Sequence, residues 1–469
     1  MRVDCLAQTI IMSRFDLPPI YQTIYPSDMY FFYEDPTICK PCINWSAFIH
    51  LQISKDKIES HSDKWDIKRR LTNPYEFIHT PPPNSSTPVC KLQPLSRAYF
   101  KMIEIIHEYA LHTAPMFVSS APIKTYHLAE GPGGFIEAIA NIRRNPSDQY
   151  YGMTLLDDTP ATPGWKKAVT FLKRNPNVII EYGEDGTGNL LMPNNLLKNY
   201  REHAESADII TADGGFDFSV DYGKQELTAS WLIFAQICHA ILIQKPGGTF
   251  IIKMFDLFHN ISIEFLYLLS IYYESVSIFK PLTSREANSE KYIVCRGFRN
   301  QFAHLINKDM LISKMLSALQ YGIDSKYAVV PSQLLLRRPP LSYINAIEEA
   351  NIMLAQRQIH NIENTLNIIL MSNSSQSFHN SCGHKYEIVK RQNIQKCIHW
   401  CIKHGLPYYG ISMFNTGGSG GGGSRTNTTF KYRPAPPDRR IHIVGSIGDS
   451  GTEVSSSVGG DDGGRGETA

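Results

Sequence analysis

The sequence predicts an α/β fold built on a doubly wound, mostly parallel sheet, and three observations predict it. From Leu95 onward short apolar runs alternate with helical patterns, as expected of strands covered by helices on both faces. One of those runs, 124–129, leads at once into an acid and a glycine-rich turn, Glu130-Gly131-Pro132-Gly133-Gly134-Phe135, which opens an amphipathic helix. Further acids, Asp157 and Asp185, follow the next two strand-like runs, at the carboxyl edge where open α/β sheets hold ligands.

In chain order, residues 1–94 are rich in proline and aromatics, with turn signals at Tyr25-Pro26-Ser27-Asp28 and a linker at 81–86, and read as an accessory region. Cys39 and Cys42 have the spacing of half a zinc site, but no second pair lies near them, so they read as ordinary thiols. Lys64, Lys68, Arg69 and Arg70 read first as a solvated face and second as an RNA contact. Ser96 is expected to cap a helix through Leu111, with Tyr99, Met102, Ile103, Ile106 and Tyr109 at helical spacing and Lys101 among them. Strands are expected near 124–129, 149–155, 177–182, 207–212, 249–255, 275–279 and 290–295. Helices are expected near 133–144, 163–174, 192–204, 223–244 and 260–273, with a turn at Pro246-Gly247-Gly248. One doubly wound domain thus covers 95–300. Residues 301–414 read as mainly helical, and 415–469 as a Gly/Ser linker with a disordered tail, too poor in apolar residues to build a core.

The formal charge is only +2, so affinity for nucleic acid has to come from a local basic face. Nine scattered cysteines form no disulfide framework and point to a reducing, intracellular setting. No signal peptide is recognised, and no apolar run reaches the roughly 18 residues of a membrane span. The cysteines and histidines between Cys382 and His404 match no standard zinc spacing, and no metal is assigned.

The turn lacks the G-x-G-x-x-G spacing of dinucleotide sites and the Gly-Lys-Ser/Thr of phosphate loops. Glycines that allow a sharp bend and an acid beside them suit S-adenosyl-L-methionine (SAM) better. On that reading Gly131, Pro132, Gly133, Gly134 and Phe135 cradle the ligand and Glu130 offers oxygens to ribose hydroxyls or an amino group. Asp157 accepts from ribose hydroxyls, and Asp185 from an adenine amino group. Asp213 ends the fourth strand of the alternating set and Lys253 the fifth, so both reach the same edge. A lysine among Phe250, Ile251, Ile252 and Phe255 is a candidate for activating a ribose 2′-hydroxyl, since burial disfavours its charged form. Lys101 and Glu290 complete the set that orients it; the bland alternative is a snorkelling Lys253 and a capping Asp213.

These residues resemble the FtsJ class of SAM-dependent ribose 2′-O-methyltransferases. The resemblance rests on Ser96-Arg97-Ala98-Tyr99-Phe100-Lys101, Gly131-Pro132-Gly133-Gly134-Phe135, Asp213, Lys253, and Ser284-Arg285-Glu286-Ala287-Asn288-Ser289-Glu290-Lys291-Tyr292-Ile293-Val294. Asn288 stands where the pattern has a second serine, and Glu290 stays in register. The resemblance implies a seven-stranded Rossmann-like methyltransferase sheet with an antiparallel last hairpin, and a catalytic Lys101–Asp213–Lys253–Glu290 tetrad. The turn and the strand before Asp157 look like the branch of cap methyltransferases and of FtsJ-like proteins of large DNA viruses. That branch implies capped mRNA as substrate and partner and a cytoplasmic setting. Ribosomal or transfer RNA, or a catalytically silent RNA-binding scaffold, are the alternatives.

Overall fold

The structure, a computed structural model, describes residues 13–23, 25–156, 164–215, 224–299, 308–372 and 376–414, and excludes the side chains of 372–385. Its strands are β1 (Arg14–Asp16), β2 (Met29–Glu34), β3 (Lys124–Leu128), β4 (Gln149–Met153), β5 (Val178–Glu181), β6 (Ala207–Ala212), β7 (Gln244–Met254), β8 (Tyr273–Phe279), β9 (Lys291–Phe298) and β10 (Val330–Leu335). Eight of them form one sheet in the order β1-β8-β9-β7-β6-β3-β4-β5. β5, β4, β3, β6 and β7 run parallel, whereas β9 is antiparallel to both β7 and β8. The chain order reverses at β3, which lies between β4 and β6; a crevice therefore opens at the carboxyl ends of β3 and β6.

Alternation along each strand feeds two cores. Ile210, Ala212, Phe250 and Ile252 pack under the helices Ser230–Ile243 and Asn260–Tyr272. Ile209 and Ile251 face the other way, toward the helices Ala98–Glu108 and Gly134–Arg143. Strands buried on both faces read as near-continuous apolar runs.

The sheet has one strand more than the seven expected. Residues 14–16 cover the outer edge of β8, with Phe15 opposite Ile278 and the Ser277 hydroxyl donating to Asp16 Oδ1 at 2.6 Å. A bare edge would leave a row of unpaired backbone groups. Three local expectations also change. Ser96 does not cap the Ala98–Glu108 helix, because its hydroxyl lies where a Cβ on Gly134 would sit. Pro246-Gly247-Gly248 lies inside β7 as an irregularity, with a register shift against β6 and a left-handed Gly247 at φ 76°. The helix expected at 163–174 is a 3₁₀ turn, Lys166–Ala168, followed by the short helix Val169–Arg174.

The segments flanking the sheet pack against each other. Leu51, Ile58 and Trp65 of the helices Trp45–Glu59 and Ser62–Thr72 meet Ile359, Ile362 and Leu366 of the long helix Leu341–Ser372. β2 and β10 pair antiparallel, joining the two ends again. All described residues fall within one compact unit. No helix among them is long and apolar enough to cross a membrane. The tail expected to be disordered, 415–469, lies outside the described residues.

Candidate active site

The glycine turn follows β3 directly. Gly133 adopts φ 102°, a conformation closed to side chains, and so opens the helix Gly134–Arg143 without strain. Gly134 has a second reason. Any Cβ there would collide with Ser96 Oγ and press within 3.0 Å of the Tyr99 amide, so glycine lets the Ala98–Glu108 helix lie across the turn. The Leu95 amide donates to Glu137 Oε2 at 2.7 Å and ties the two helices together. That contact carries Lys101 to the sheet edge. Gly131 and Gly134 thus face protein atoms, Gly164 and Ser96 respectively, which the ligand-approach reading alone does not explain.

Sheet register delivers the rest. Asp213 follows β6, and Lys253 is the penultimate residue of β7. Because β9 runs antiparallel, Tyr292 sits opposite Lys253, and Glu290, just before β9, reaches the same edge. The four expected catalytic side chains therefore converge. Lys101 Nζ lies 2.7 Å from Glu290 Oε1 and donates to the Tyr292 hydroxyl at 3.2 Å. That hydroxyl donates to Asp213 Oδ1 at 2.8 Å. Lys253 Nζ donates to the Asp213 carbonyl at 2.6 Å and lies 3.2 Å from Asp213 Oδ1. The side chains of Lys253, Asp213 and Glu290 keep 12%, 15% and 15% of their surface exposed, against 6% for Lys101, so of the two lysines an entering group meets Lys253 first.

Burial lowers the Lys101 pKa, against the pull of Glu290 and Asp213 and with help from Arg97 and Lys253. Burial acts upward on Glu290, but Lys101, Lys253, Lys280 and Arg97 override it and hold the carboxyl well below its usual range. Burial, then Asp213 and Glu290, push the Tyr292 phenol well above its usual value, which keeps it a hydrogen-bond donor.

Tyr292 is the link that reading by residue type missed: a phenol in the run Lys-Tyr-Ile-Val-Cys reads as core. Phe135, expected at the cofactor, is fully buried with its ring 5.7 Å from that of Tyr292 and supports it from below. Removing the hydroxyl in Tyr292→Phe breaks two hydrogen bonds, the one it accepts from Lys101 and the one it donates to Asp213. We expect about 1.5–3 kcal/mol, a loss of roughly ten- to hundredfold in turnover, with unchanged SAM affinity, measured by single-turnover kinetics and calorimetry.

The expected cofactor residues are placed unequally. Glu130 is buried at the crevice; its Oε1 accepts from Thr211, and its Oε2 has no hydrogen-bond partner. Burial raises its pKa, against His127 and Thr211. Asp185 is exposed, and its Oδ1 organises its own loop, accepting from the Thr187 amide and hydroxyl and from Asn195 Nδ2. Asp157 lies outside the described residues, as do the side chains of Cys382 and His384. Cys397 and Cys401 are buried in the core, and Cys39 and Cys42 carry free thiols.

Residues 94–298 match the family model of the FtsJ-like methyltransferases. A cap-specific mRNA (nucleoside-2′-O-)-methyltransferase 2 of Danio rerio is 28% identical over 303 residues, 60% of this chain and 38% of that protein. A cap-specific mRNA (nucleoside-2′-O-)-methyltransferase 1 of Xenopus laevis is 31% identical over 288 residues, 57% of this chain and 32% of its own length. The chain thus spans about a third of the length of these relatives. A crystal structure named as a ribosomal RNA methyltransferase of Plasmodium falciparum overlaps 43% of this chain and 97% of its own, at 22% identity and a TM-score of 0.30. With the sheet order, the glycine turn and the converging side chains, the family match makes residues 94–298 an FtsJ-like methyltransferase domain, a class whose methyl donor is S-adenosyl-L-methionine.

Proposed function

We propose that the chain methylates the ribose 2′-hydroxyl of RNA, at the cap-proximal nucleotides of mRNA. The observation that carries the reading is the run Glu290–Lys101–Tyr292–Asp213–Lys253 at one sheet edge beside the glycine turn. The names of the relatives support capped mRNA, and the convergence of the four side chains supports the catalytic roles given to them.

The crevice suits a cationic donor. The buried Glu130 Oε2 makes no hydrogen bond and lies 3.5 Å from His127 Nδ1, so an ammonium brought to the turn would complete it. When bound, SAM supplies an electrophilic sulfonium methyl. Glu130 and the turn would hold its polar end, with Asp185 further along the edge. Lys253 would meet the ribose hydroxyl and take its proton, or stabilise the developing alkoxide, while the oxygen–methyl bond forms, the methyl–sulfur bond breaks and the donor leaves as a neutral thioether. Asp213 fixes the Lys253 amine through two oxygens, and Tyr292 and Lys101 fix Asp213 in turn.

The test is incubation with SAM and matched RNAs bearing a cap, bearing a 5′ triphosphate, or folded as ribosomal fragments, with mass spectrometry of the nucleosides. The expected product is a 2′-O-methyl nucleoside next to the cap. A product confined to uncapped RNA overturns the substrate, and SAM binding without transfer to any RNA favours the scaffold alternative.

A further inference from the structure

Glu290 reaches the tetrad on residues 281–290, a loop with neither helix nor strand. Such a segment makes few hydrogen bonds of its own and has to be held from outside to stay in one place. From within the methyltransferase domain, buried Glu104 accepts from the Leu282 and Thr283 amides and the Thr283 hydroxyl. Lys280 Nζ donates to the carbonyls of Asn288 and Glu290, each at 2.6 Å. Arg97 donates to the Thr283 carbonyl at 3.5 Å, and the Ser289 hydroxyl donates to Gln225 Oε1 at 2.6 Å. Further anchors come from elsewhere in the chain.

We propose that Glu76 and Arg357, both outside the segment that matches the methyltransferase family, are positioning residues that pin this loop and so fix Glu290 against Lys101. Glu76 is fully buried and grips Arg285 with both oxygens, at 2.6 and 2.9 Å, a planar pairing that sets direction as well as distance. Its own carboxylate is held by Asn73 and Thr80, so the grip is rigid. On the opposite flank Arg357 pairs with Glu286 at 2.7 Å, and its neighbour Gln358 donates to the Ala287 carbonyl at 3.0 Å. Both residues belong to the long helix Leu341–Ser372. The two accessory regions, packed on each other, thus take hold of three consecutive loop residues, Arg285 to Ala287, three to five positions before Glu290. Their effect on the reaction runs through the loop.

The inference rests on the proposed methyl transfer, so its test carries a readout independent of activity. Hydrogen–deuterium exchange of residues 281–290 is followed in the full chain for wild type, Arg357→Ala, Arg357→Lys and Glu76→Gln, alongside SAM affinity and single-turnover rate. Faster exchange confined to the loop is expected for Arg357→Ala and Glu76→Gln. Turnover is expected to fall about tenfold by misplacement of Glu290, with SAM affinity within about twofold. Arg357→Lys is expected to recover most of the rate. Arg357 and Glu286 are partly exposed, so Arg357→Ala remains folded even if Glu76→Gln does not. Unchanged loop exchange in Arg357→Ala overturns the proposal, as does faster exchange with an unchanged rate. Absence of transfer by the wild type overturns the functional reading alone, since exchange still decides the loop.

Discussion

Lys253→Ala is expected to abolish methyl transfer, with a loss of about 10²- to 10⁴-fold, the range typical of removing a positioned proton-transfer group. The expectation follows from how Lys253 is held. Its amine is fixed by two oxygens of Asp213 and keeps 12% of its side-chain surface, enough to meet an entering hydroxyl and too little to wander. Removing it does not strand its partner, because Asp213 Oδ1 still accepts from Tyr292 and stays 15% exposed to water. The fold and the glycine turn should survive, and SAM affinity with them. Single-turnover transfer and calorimetric SAM binding on the same preparation separate the two effects. Substantial turnover in the alanine variant would sink the role given to Lys253. Lys253→Arg sharpens the point: it keeps a cation but cannot accept a proton, so partial activity there assigns charge stabilisation over proton transfer.

The parallel sheet was legible because its central strands are buried on both faces and read as apolar runs between helical patterns. Ala207–Ala212 stands out as an apolar run, and the acid after it marks a strand end. Asp213 and Lys253 follow from strand direction alone, since the carboxyl ends of parallel strands share one edge. Glu290 needed the resemblance, because only an antiparallel β9 brings its start to that edge. The edge strand β1 is three residues long, too short for any periodicity to register. The grip of Glu76 on Arg285 spans 209 positions, and that of Arg357 on Glu286 spans 71. Pairings of that separation leave no local pattern, and each residue by itself reads as a solvated charge.

Lys101→Met separates stability from chemistry. Lys101 is buried in the Ala98–Glu108 helix and lies 2.7 Å from Glu290, whose carboxylate also accepts from the Ser284 hydroxyl. Removing one partner of a buried pair leaves the other charge poorly compensated, and we expect a destabilisation of about 3–5 kcal/mol in chemical denaturation. The sign of the pH dependence is set by Glu290. Its pKa is depressed in the folded chain, so its contribution to stability is full above its ordinary 4.5 and is lost as pH falls toward the folded value. Lys101→Met should therefore weaken the protein most near neutral pH, and the gap to wild type should narrow as the medium turns acid. A gap that widens in acid would contradict the pairing. Adding Glu290→Leu removes the orphaned carboxylate and should restore much of the stability, because replacing both members of a buried pair with apolar groups costs far less than breaking it. Activity should stay lost in the double variant, since Tyr292 and Asp213 then lack the Lys101 amine that orients them. Recovered stability with absent turnover is the combination that distinguishes a catalytic ion pair from one that only holds the helix to the sheet.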